Sequence, residues 1–400
     1  MLHVVHSFVS RSASSFATRS HGVTSTRIVT IHAYTKSLNR QHFLRLYSTN
    51  EEKKRIVFLG TPEVAASSLQ SIYEASTQPE SNFEVSAVVT QPPKRRKRKG
   101  KLEPSPVGKV AEDLGLHVLS PEKANEKAFL DHLADTVRPD LCITAAYGQY
   151  LPKRFLATPV QGTVNIHPSL LPRWRGASPV QRSLEAGDNP LGVTVLYTVS
   201  KMDAGPIIAQ NAQEFDENET AVTILPKLFE IGTNLLLDKL PDILDGRITM
   251  DTATPQDENL AISAPMIDSS EAEFKVWQES ARSCHNRLRG FAMWPGAFMY
   301  FRIGGRDEII KVKITETRVV PGKAELTYEV KLGPTKKCGL YVVCYDGSIL
   351  ELIRVQPATR KAFPARDFQN GYPGETIYWT FPPEDQAVNP AKYNSRAAAS

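Results

Sequence analysis

Short apolar runs alternate with amphipathic segments between residues 56 and 245, and this alternation predicts an α/β fold. The first run, IVFLG at residues 56–60, has the composition of a buried strand. Thr61 follows it as a candidate N-cap, with Pro62 as the first residue of a helix. Strands are also predicted at residues 83–90, 116–120, 140–148, 162–167, 191–199 and 205–215, and helices at residues 61–76, 105–115, 121–136 and 221–244. This order predicts a Rossmann-like domain with a mostly parallel, doubly wound sheet.

The turn after the first strand argues against a dinucleotide-dependent oxidoreductase. It contains a single glycine, in LGTPE, so the GxGxxG fingerprint is missing. A fold of this class hosts many activities, and the function must therefore be argued from a site.

The pattern changes after residue 245. Residues 246–263 are polar and rich in turn formers, which predicts a linker. An amphipathic helix is predicted at residues 273–290, and the short alternating strands after it predict a small OB-like β-barrel. The motif FAMWPG at residues 291–296 predicts an aromatic plug where the helix enters the barrel. The predicted organisation is an N-terminal α/β domain at 51–245, the linker, the barrel at 264–383 and a disordered tail at 384–400.

Positive charge is concentrated at the N-terminus. Residues 1–50 are rich in Ser and Thr, contain no Asp or Glu, and carry six cations: Arg11, Arg19, Arg27, Lys36, Arg40 and Arg45. Without these six, the basic and acidic side chains of the chain nearly balance. This composition predicts an organelle transit peptide with a processing site near RLYS at residues 45–48. The expected destination is the mitochondrial matrix, a plastid is the alternative because its leaders are similar, and a basic binding arm is another alternative.

Cysteine usage and hydropathy narrow the class of protein further. The four cysteines (Cys142, Cys284, Cys338 and Cys344) form no CxxC pair and have no histidine cluster beside them. They therefore predict reduced, buried thiols and no metal site or disulfide framework. No stretch approaches the roughly 18 consecutive apolar residues that a membrane span requires, so no membrane association is expected.

Two polar side chains alternate at the end of the strand predicted at residues 162–167. Asn165 and His167 are two residues apart and therefore project from the same face. Open α/β sheets bind ligands at the carboxyl ends of parallel strands. An amide and an imidazole at such an edge can stabilise charge on an oxygen and move protons during acyl transfer. A hydrogen-bonded strand end without catalytic function is the alternative.

Asp203 is the candidate partner of His167. It lies in the turn KMDAGPII, after a strand predicted to neighbour the one that carries His167. A carboxylate beside the imidazole would favour its charged form. Ordinary turn chemistry of an Asp before a glycine is the alternative.

The densest charge outside the N-terminal segment is KRRKRKGK at residues 94–101. It lies between a predicted strand and a predicted helix, on the same edge as the candidate site. Like charges repel, which predicts a mobile loop that binds a polyanion; without an aromatic side chain, phosphate contact is favoured over base recognition. The candidate contacts are Lys94, Arg95, Arg96, Lys97, Arg98, Lys99 and Lys101. A solvated loop, or a chance match to a nuclear-localisation signal, is the alternative.

Several motifs resemble, in their order, those of the methionyl-tRNA formyltransferase family, and in particular an organellar member. They include FLGTPEVAASSL, AAYGQYLPK, VNIHPSLLPRWRGASPVQRSLEAGD, KMDAGPII and FAMWPG. The resemblance covers about residues 55–375 and implies a formyltransferase domain followed by an OB-like barrel. It also implies transfer of the formyl group of 10-formyltetrahydrofolate to the amino group of methionine on initiator tRNA. The implied partners are the charged tRNA and the folate co-substrate, with no metal, and a monomer is expected.

The resemblance also implies roles for individual residues. Asn165 would donate to the formyl oxygen, His167 would stabilise the oxyanion, and Asp203 would orient His167 and, with a water, help to move the proton. The folate would meet the turn formed by Ser169, Leu170, Leu171 and Pro172. The basic run corresponds to the loop that meets the tRNA acceptor end, but here Arg98 lies between Lys97 and Lys99 where family members carry Gly-Arg-Gly.

Other interpretations stay open at this point. Glycinamide ribonucleotide transformylases and 10-formyltetrahydrofolate hydrolases or dehydrogenases share NIHPSLLP but lack a basic tRNA loop followed by a C-terminal barrel. A catalytically dead RNA-binding module is a different class, against which the presence of all three candidate catalytic residues argues. Arg173 and Arg175 could face folate glutamate, tRNA phosphate or a neighbouring carboxylate.

Overall fold

The computed structural model describes residues 52–95, 100–304, 306 and 308–382. The predicted transit peptide with its processing site and the predicted tail at 384–400 lie outside the described residues. So do Arg96, Lys97, Arg98 and Lys99 of the basic run. The described residues from Lys53 onward belong to one compact unit.

The α/β domain is built on one seven-stranded sheet. The strands of the described chain are β1 (Lys54–Gly60), β2 (Phe83–Val89), β3 (Lys94–Arg95), β4 (Leu102–Glu103), β5 (Val118–Leu119), β6 (Leu141–Ala145), β7 (Thr163–His167), β8 (Arg175–Gly176), β9 (Leu191–Tyr197), β10 (Ile207–Gln213), β11 (Ser263–Ala264), β12 (Ala297–Ile303), β13 (Ile309–Lys323), β14 (Lys331–Leu332), β15 (Leu340–Val343), β16 (Ser348–Pro357), β17 (Phe363–Pro364) and β18 (Ile377–Thr380). The order in the α/β sheet is β10-β9-β7-β6-β1-β2-β5. The five strands from β7 to β5 are parallel, β9 runs antiparallel to β7, and β10 runs antiparallel to β9. The predicted Rossmann-like domain with a mostly parallel sheet is confirmed.

Helices cover this sheet because its central strands are apolar on both faces. β6 and β9, for example, are buried at every position, as expected for strands packed on both sides. The helices of the described chain are α1 (Glu63–Ser76), α2 (Pro106–Asp113), α3 (Lys127–His132), continued by a π-helical turn at Leu133–Val137, α4 (Lys153–Leu156), α5 (Pro179–Ala186), α6 (Ala221–Leu244), α7 (Ala281–Phe291) and α8 (Ala365–Asn370). The apolar side chains of α6 contribute to the core on one face of the sheet.

Three predicted helix starts were wrong. At each of them the residues expected in the first turn make other hydrogen bonds. Pro62, not Thr61, is the N-cap residue of α1, and the Thr61 hydroxyl donates to the carbonyl of Tyr147. The helix predicted from residue 121 begins at Lys127, since the preceding Lys123 N–H is bound by the Glu126 carboxylate. The helix predicted from residue 273 begins at Ala281, because the preceding chain pairs with β12 through Phe274 N–H and Phe298 O.

The C-terminal domain confirms the predicted OB-like architecture in the form of an antiparallel sheet that curls into a half-barrel. Its strand order is β14-β15-β16-β13-β12-β18, with β17 paired to β16. The inward faces and α7 enclose a second hydrophobic core. The predicted aromatic plug is correct for Phe291, which is fully buried, and wrong for Met293 and Trp294, which are 54% and 56% exposed.

The segment predicted as a linker, residues 246–263, makes defined contacts with the α/β domain. Thr254 forms a bridge with Ile207 at the start of β10. Just beyond it, β11 pairs in parallel with β8, which directly follows the NIHPSLLPRW stretch. This segment is therefore positioned to affect the candidate site.

Candidate active site

The site forms where β7 ends, between β6 on one side and β9 on the other. Asn165 and His167 lie on one face of β7 because strand residues two apart share a face. Asn165 is half-buried and His167 is buried. The structure brings Asp203 to the same place, with its Oδ1 3.7 Å from Nδ1 of His167. The three residues that the sequence singled out therefore converge, although Asp203 is distant in the chain.

The contacts of His167 define where its protons lie. Its Nε2 is 3.0 Å from the carbonyl oxygen of Trp174, and a carbonyl can only accept, so Nε2 carries a proton. Nδ1 faces the Asp203 carboxylate at 3.7 Å, a separation that suits an ion pair and exceeds a direct hydrogen bond. That contact is attractive only when Nδ1 is protonated as well. An oxygen therefore lies opposite each of the two ring nitrogens.

Asp203 is held in an unusual backbone conformation. Its φ is +48°, in the left-handed region that few residues other than glycine adopt. Its Oδ2 accepts a 2.9 Å hydrogen bond from the N–H of Gly176, and its own carbonyl accepts a 2.8 Å bond from Nε2 of Gln256. Gly176 must be glycine, because a Cβ there would lie 2.4 Å from the carbonyl oxygen of Ala264. One hydrogen bond thus holds the side chain of Asp203 and another holds its backbone.

The amide of Asn165 is oriented by Thr144 on the neighbouring strand. The Thr144 hydroxyl lies 2.8 Å from Oδ1 of Asn165 and 3.1 Å from the carbonyl of Val164. When the hydroxyl donates to Oδ1, the Nδ2 group of Asn165 points the other way and can donate to a ligand. Thr144 is buried, so this orientation is set inside the protein.

The turn at residues 169–172 uses most of its polar groups internally. The Ser169 hydroxyl donates to the carbonyl of Arg173, and its carbonyl accepts from the Thr194 hydroxyl. Leu171 is buried, while Leu170 and Pro172 keep part of their surface exposed. A rigid turn therefore presents apolar surface from two of the four residues that the family resemblance associates with folate.

Carboxylates account for Arg173 and Arg175. Arg173 pairs with both oxygens of Asp188, which also accepts a 2.7 Å hydrogen bond from the indole of Trp174. Arg175 is buried and pairs with Glu258 at 3.0 Å. Hydrogen bonds from Lys201 and Arg175 hold the pKa of the Glu258 carboxyl below its ordinary value. Each arginine therefore pairs with a neighbouring carboxylate, which is one of the three alternatives that the sequence leaves open.

The described part of the basic run belongs to a hairpin that is tied to the same edge. β3 carries Lys94 and Arg95 and pairs with β4, while Lys101 lies in the loop between these strands. Gln91, at the base of the hairpin, donates to the carbonyl of Tyr147, just after β6. Burial raises the pKa of the Tyr147 hydroxyl to about 12, so this phenol stays neutral and does not act as a base.

Comparison with known proteins places this site in a family. The formyl transferase family model matches residues 54–240, and the model of the formyl transferase C-terminal domain matches residues 267–373. The methionyl-tRNA formyltransferase of Enterococcus faecalis is 37% identical over 319 residues, which are 79% of this chain and 96% of that protein. The chain belongs to the methionyl-tRNA formyltransferase family. The Macrococcus caseolyticus methionyl-tRNA formyltransferase is 34% identical over 327 residues, 82% of this chain and 98% of that protein.

Solved structures support the fold of this methionyl-tRNA formyltransferase family member. The sugar 3N-formyl transferase WlaRD, studied in the presence of dTDP and 5-N-formyl-THF, aligns with a TM-score of 0.55 at 16% identity and covers 78% of this chain and 100% of its own. The N-formyltransferase of Helicobacter canadensis, in complex with folinic acid and dTDP-3-aminofucose, aligns with a TM-score of 0.53 at 15% identity. The alignment covers 76% of this chain and 99% of that one. At these identities the likeness concerns the fold alone.

The described residues of this formyl-transferring enzyme contain neither a membrane-spanning helix nor a metal-binding group. Within residues 52–382, apart from the gaps given above, no helix has the length and apolarity to cross a membrane. In the same part of the chain, no group of three or more His, Cys, Asp or Glu side chains is arranged to hold a metal ion.

Three residues of the site escaped sequence analysis. Thr144 and Asp188 orient Asn165 and Trp174 through their side chains. Thr144 lies outside the quoted motifs, and Asp188 ends the motif VNIHPSLLPRWRGASPVQRSLEAGD, which by itself gives it no role. Gln256 lies 53 residues beyond Asp203, in a segment whose composition predicts only a linker. Polarity was the only signal at these positions, and it does not distinguish a solvated side chain from one that organises a methionyl-tRNA formyltransferase site.

Proposed function

We propose that the protein transfers the formyl group of 10-formyltetrahydrofolate to the amino group of methionyl initiator tRNA, and that it serves translation initiation in an organelle. The observation that carries the proposal is the convergence of Asn165, His167 and Asp203 at the end of β7. The relatives are named methionyl-tRNA formyltransferases, and we propose the tRNA substrate from these names. The folates named with structures of the same fold support a folate donor.

The proposed chemistry asks the protein to stabilise charge rather than to supply a nucleophile. The folate supplies an activated formyl carbon, and the amine of methionine attacks it. Asn165 donates from Nδ2 to the formyl oxygen as negative charge develops there, because Thr144 already occupies Oδ1. Preorganised donors of this kind are worth roughly 3–4 kcal/mol each in acyl transfer.

His167 and Asp203 act as a charged pair. The Nε2 proton of His167 already meets an oxygen, the Trp174 carbonyl, so a direct role requires it to exchange this partner for the formyl oxygen. Asp203 remains opposite Nδ1 and balances the positive charge. Because Oδ2 of Asp203 is occupied by the Gly176 N–H, Oδ1 is the oxygen beside which a proton from the attacking amine can pass, by way of a water, to the folate nitrogen. The bond between that nitrogen and the formyl carbon breaks as the new bond to the amine is completed, so tetrahydrofolate leaves with the proton.

The residues present fit a folate at the turn of residues 169–172. The turn is rigid, since Thr194 and Gln210 bind its backbone from β9 and β10. Leu170 and Pro172 offer partly exposed apolar surface beside the polar groups of β7. Such a combination suits a co-substrate that packs ring surface against an apolar turn and places its formyl oxygen beside a hydrogen-bond donor.

Lys94, Arg95 and Lys101, with Arg96 to Lys99 between them, are proposed to bind phosphates of the tRNA. The hairpin that carries them is connected to the active-site edge through Gln91 and Tyr147. Cations at this position would hold the acceptor end near the formyl donor and make the affinity depend on salt. The side chains support binding to any sequence, because they contact phosphates rather than bases.

The composition of residues 1–50 supports the mitochondrial matrix as the destination, with a plastid as the alternative. Fusion of residues 1–50 to a fluorescent protein tests this, and a signal that stays in the cytosol would refute it. The monomeric state is tested by sedimentation of the purified protein.

The decisive experiment is formylation of charged initiator tRNA by the purified protein, with glycinamide ribonucleotide as the competing acceptor. The expected result is formyl-methionyl-tRNA formed only in the presence of 10-formyltetrahydrofolate. Formylation of glycinamide ribonucleotide without formylation of the tRNA would overturn the proposal.

A further inference from the structure

The side-chain amide of Gln256 forms hydrogen bonds both to the turn that carries Asp203 and to Arg175. Its Nε2 is 2.8 Å from the carbonyl oxygen of Asp203 and 2.7 Å from that of Gly205. Its Oε1 is 3.0 Å from Nε and 2.8 Å from Nη2 of Arg175. The two amide protons and both lone pairs of the amide oxygen are therefore used.

These partners fix the orientation of the amide. Carbonyl oxygens only accept hydrogen bonds and a guanidinium only donates them. Rotating the Gln256 amide by a half-turn would oppose oxygen to oxygen and N–H to N–H at all four contacts. Gln256 is therefore a directional connector between Arg175 and the backbone of the Asp203 turn.

The short strand β8, which contains Arg175, also binds the carboxylate of Asp203. Gly176 follows Arg175 in β8, and its N–H donates to Oδ2 of Asp203. The contacts form a closed ring that runs from the Asp203 carboxylate through Gly176, Arg175 and Gln256 to the Asp203 carbonyl. A displacement of Gln256 would thus move the carboxylate relative to its donor.

A second contact ties the start of the turn to the same segment. Glu258 pairs with Arg175 at 3.0 Å and with Lys201 at 2.6 Å. Lys201 precedes Asp203 by two residues, so the segment at 256–258 binds the turn at its beginning and at its end. Because Asp203 has a φ of +48°, the turn needs such support to stay in one conformation.

We propose that Gln256 is a positioning residue for formyl transfer, which keeps the carboxylate of Asp203 directed at His167. The inference rests on the proposed function, because it assigns Gln256 to the same reaction. Gln256 itself is neutral and lies behind the turn, so it orients the charged pair without adding charge to it.

Kinetics of Gln256→Ala and Gln256→Glu test the proposal, with Gln213→Ala as the matched control. Gln213 is a glutamine at the exposed end of β10 whose side chain donates only to the adjacent Glu214 carbonyl. Glu at position 256 retains an acceptor for Arg175 but has no N–H for the two carbonyls. Both Gln256 variants are expected to lose about 10- to 100-fold in kcat, as displaced catalytic groups do, with KM for both substrates within about twofold of wild type. Wild-type kcat in Gln256→Glu would overturn the proposal.

A double-mutant cycle with Asp203→Asn separates positioning from a general loss of structure. If Gln256 acts through Asp203, Gln256→Ala is expected to change kcat less than about twofold once Asp203 is already replaced. A full multiplicative loss in the double variant would overturn the proposal.

Backbone amide exchange provides a measurement that does not depend on activity. The backbone N–H groups of residues 201–205 and of Gly176 are expected to exchange faster in Gln256→Ala than in wild type, and at the wild-type rate in Gln213→Ala. Equal exchange in all three proteins would overturn the positioning role. If exchange is faster in Gln256→Ala than in wild type but the wild-type protein does not formylate methionyl-tRNA, the proposed function is refuted while the role of Gln256 in holding the turn stands.

Discussion

Replacing Asp203 with Asn tests the charged pair with little change of shape. Asn tolerates the left-handed backbone at this position and can still accept from the Gly176 N–H. Its amide N–H then faces Nδ1 of His167 in place of a carboxylate. The amide carries no negative charge, so the Coulomb attraction between the two side chains is lost.

The expected loss in kcat can be calculated from the distance between the Asp203 carboxylate and the His167 ring. Unit charges 3.7 Å apart attract by about 4 kcal/mol at an effective dielectric constant of about 20. If this attraction is fully expressed in the transition state, its loss lowers the rate about 1000-fold. The Asp203 side chain is 17% exposed, so the solvent weakens the attraction and a loss of about 100- to 1000-fold in kcat is expected.

Single-turnover formylation of methionyl-tRNA measures this loss without the contribution of product release. The matched control is Asp238→Asn, which removes an equally charged side chain that is 67% exposed and pairs with the adjacent Lys239. If Asp203→Asn retains a rate within about threefold of the control, charge on Asp203 does not support His167 and the reasoning fails.

Three further predictions concern Asn165, the basic hairpin and His285. Thr144→Val, which leaves Oδ1 of Asn165 without its donor, should lower kcat about fivefold, as one lost hydrogen bond does; an unchanged single-turnover rate would contradict this. Replacing Lys94, Arg95 and Lys101 with Gln should reduce the slope of log affinity for tRNA against log salt by up to about 3, and an unchanged slope in a binding titration would refute the phosphate contacts. Burial lowers the pKa of His285 below its ordinary 6.5, so as the pH falls through that value the unfolded chain takes up a proton that the folded chain does not, and stability is lost. The melting temperature of wild type minus that of His285→Gln should therefore decrease as the pH is lowered from about 7.5 to about 5.5. A difference that stays constant over this range would contradict the prediction.

Local periodicity was enough to predict part of the site, because Asn165 and His167 depend only on the alternation of side chains along one strand. Asp203 was found through the order of elements, since the strand before it was expected beside β7 and pairs with it. Thr144 and Gln256 could not be found in this way. Their roles depend on the register between β6 and β7 and on a segment that returns to the sheet after α6, and neither arrangement leaves a local pattern.

Residues 246–263 are polar because some of their side chains bond to the turn that carries Asp203, and not only because a linker is exposed to solvent. A turn with a left-handed residue such as Asp203 cannot pair its carbonyls with a neighbouring strand, and buried carbonyls without partners are costly. Side chains of another segment must then supply the donors, as Gln256 does for Asp203 and Gly205. The strain of the turn, of the order of 1 kcal/mol, is offset by these bonds and by the ion pairs of Glu258. The proposed catalytic carboxylate of Asp203 lies in an irregular turn and therefore requires a polar segment behind it. Replacing this segment with a flexible Gly-Ser linker of equal length should reduce the rate of formyl transfer much more than it reduces the affinity for tRNA.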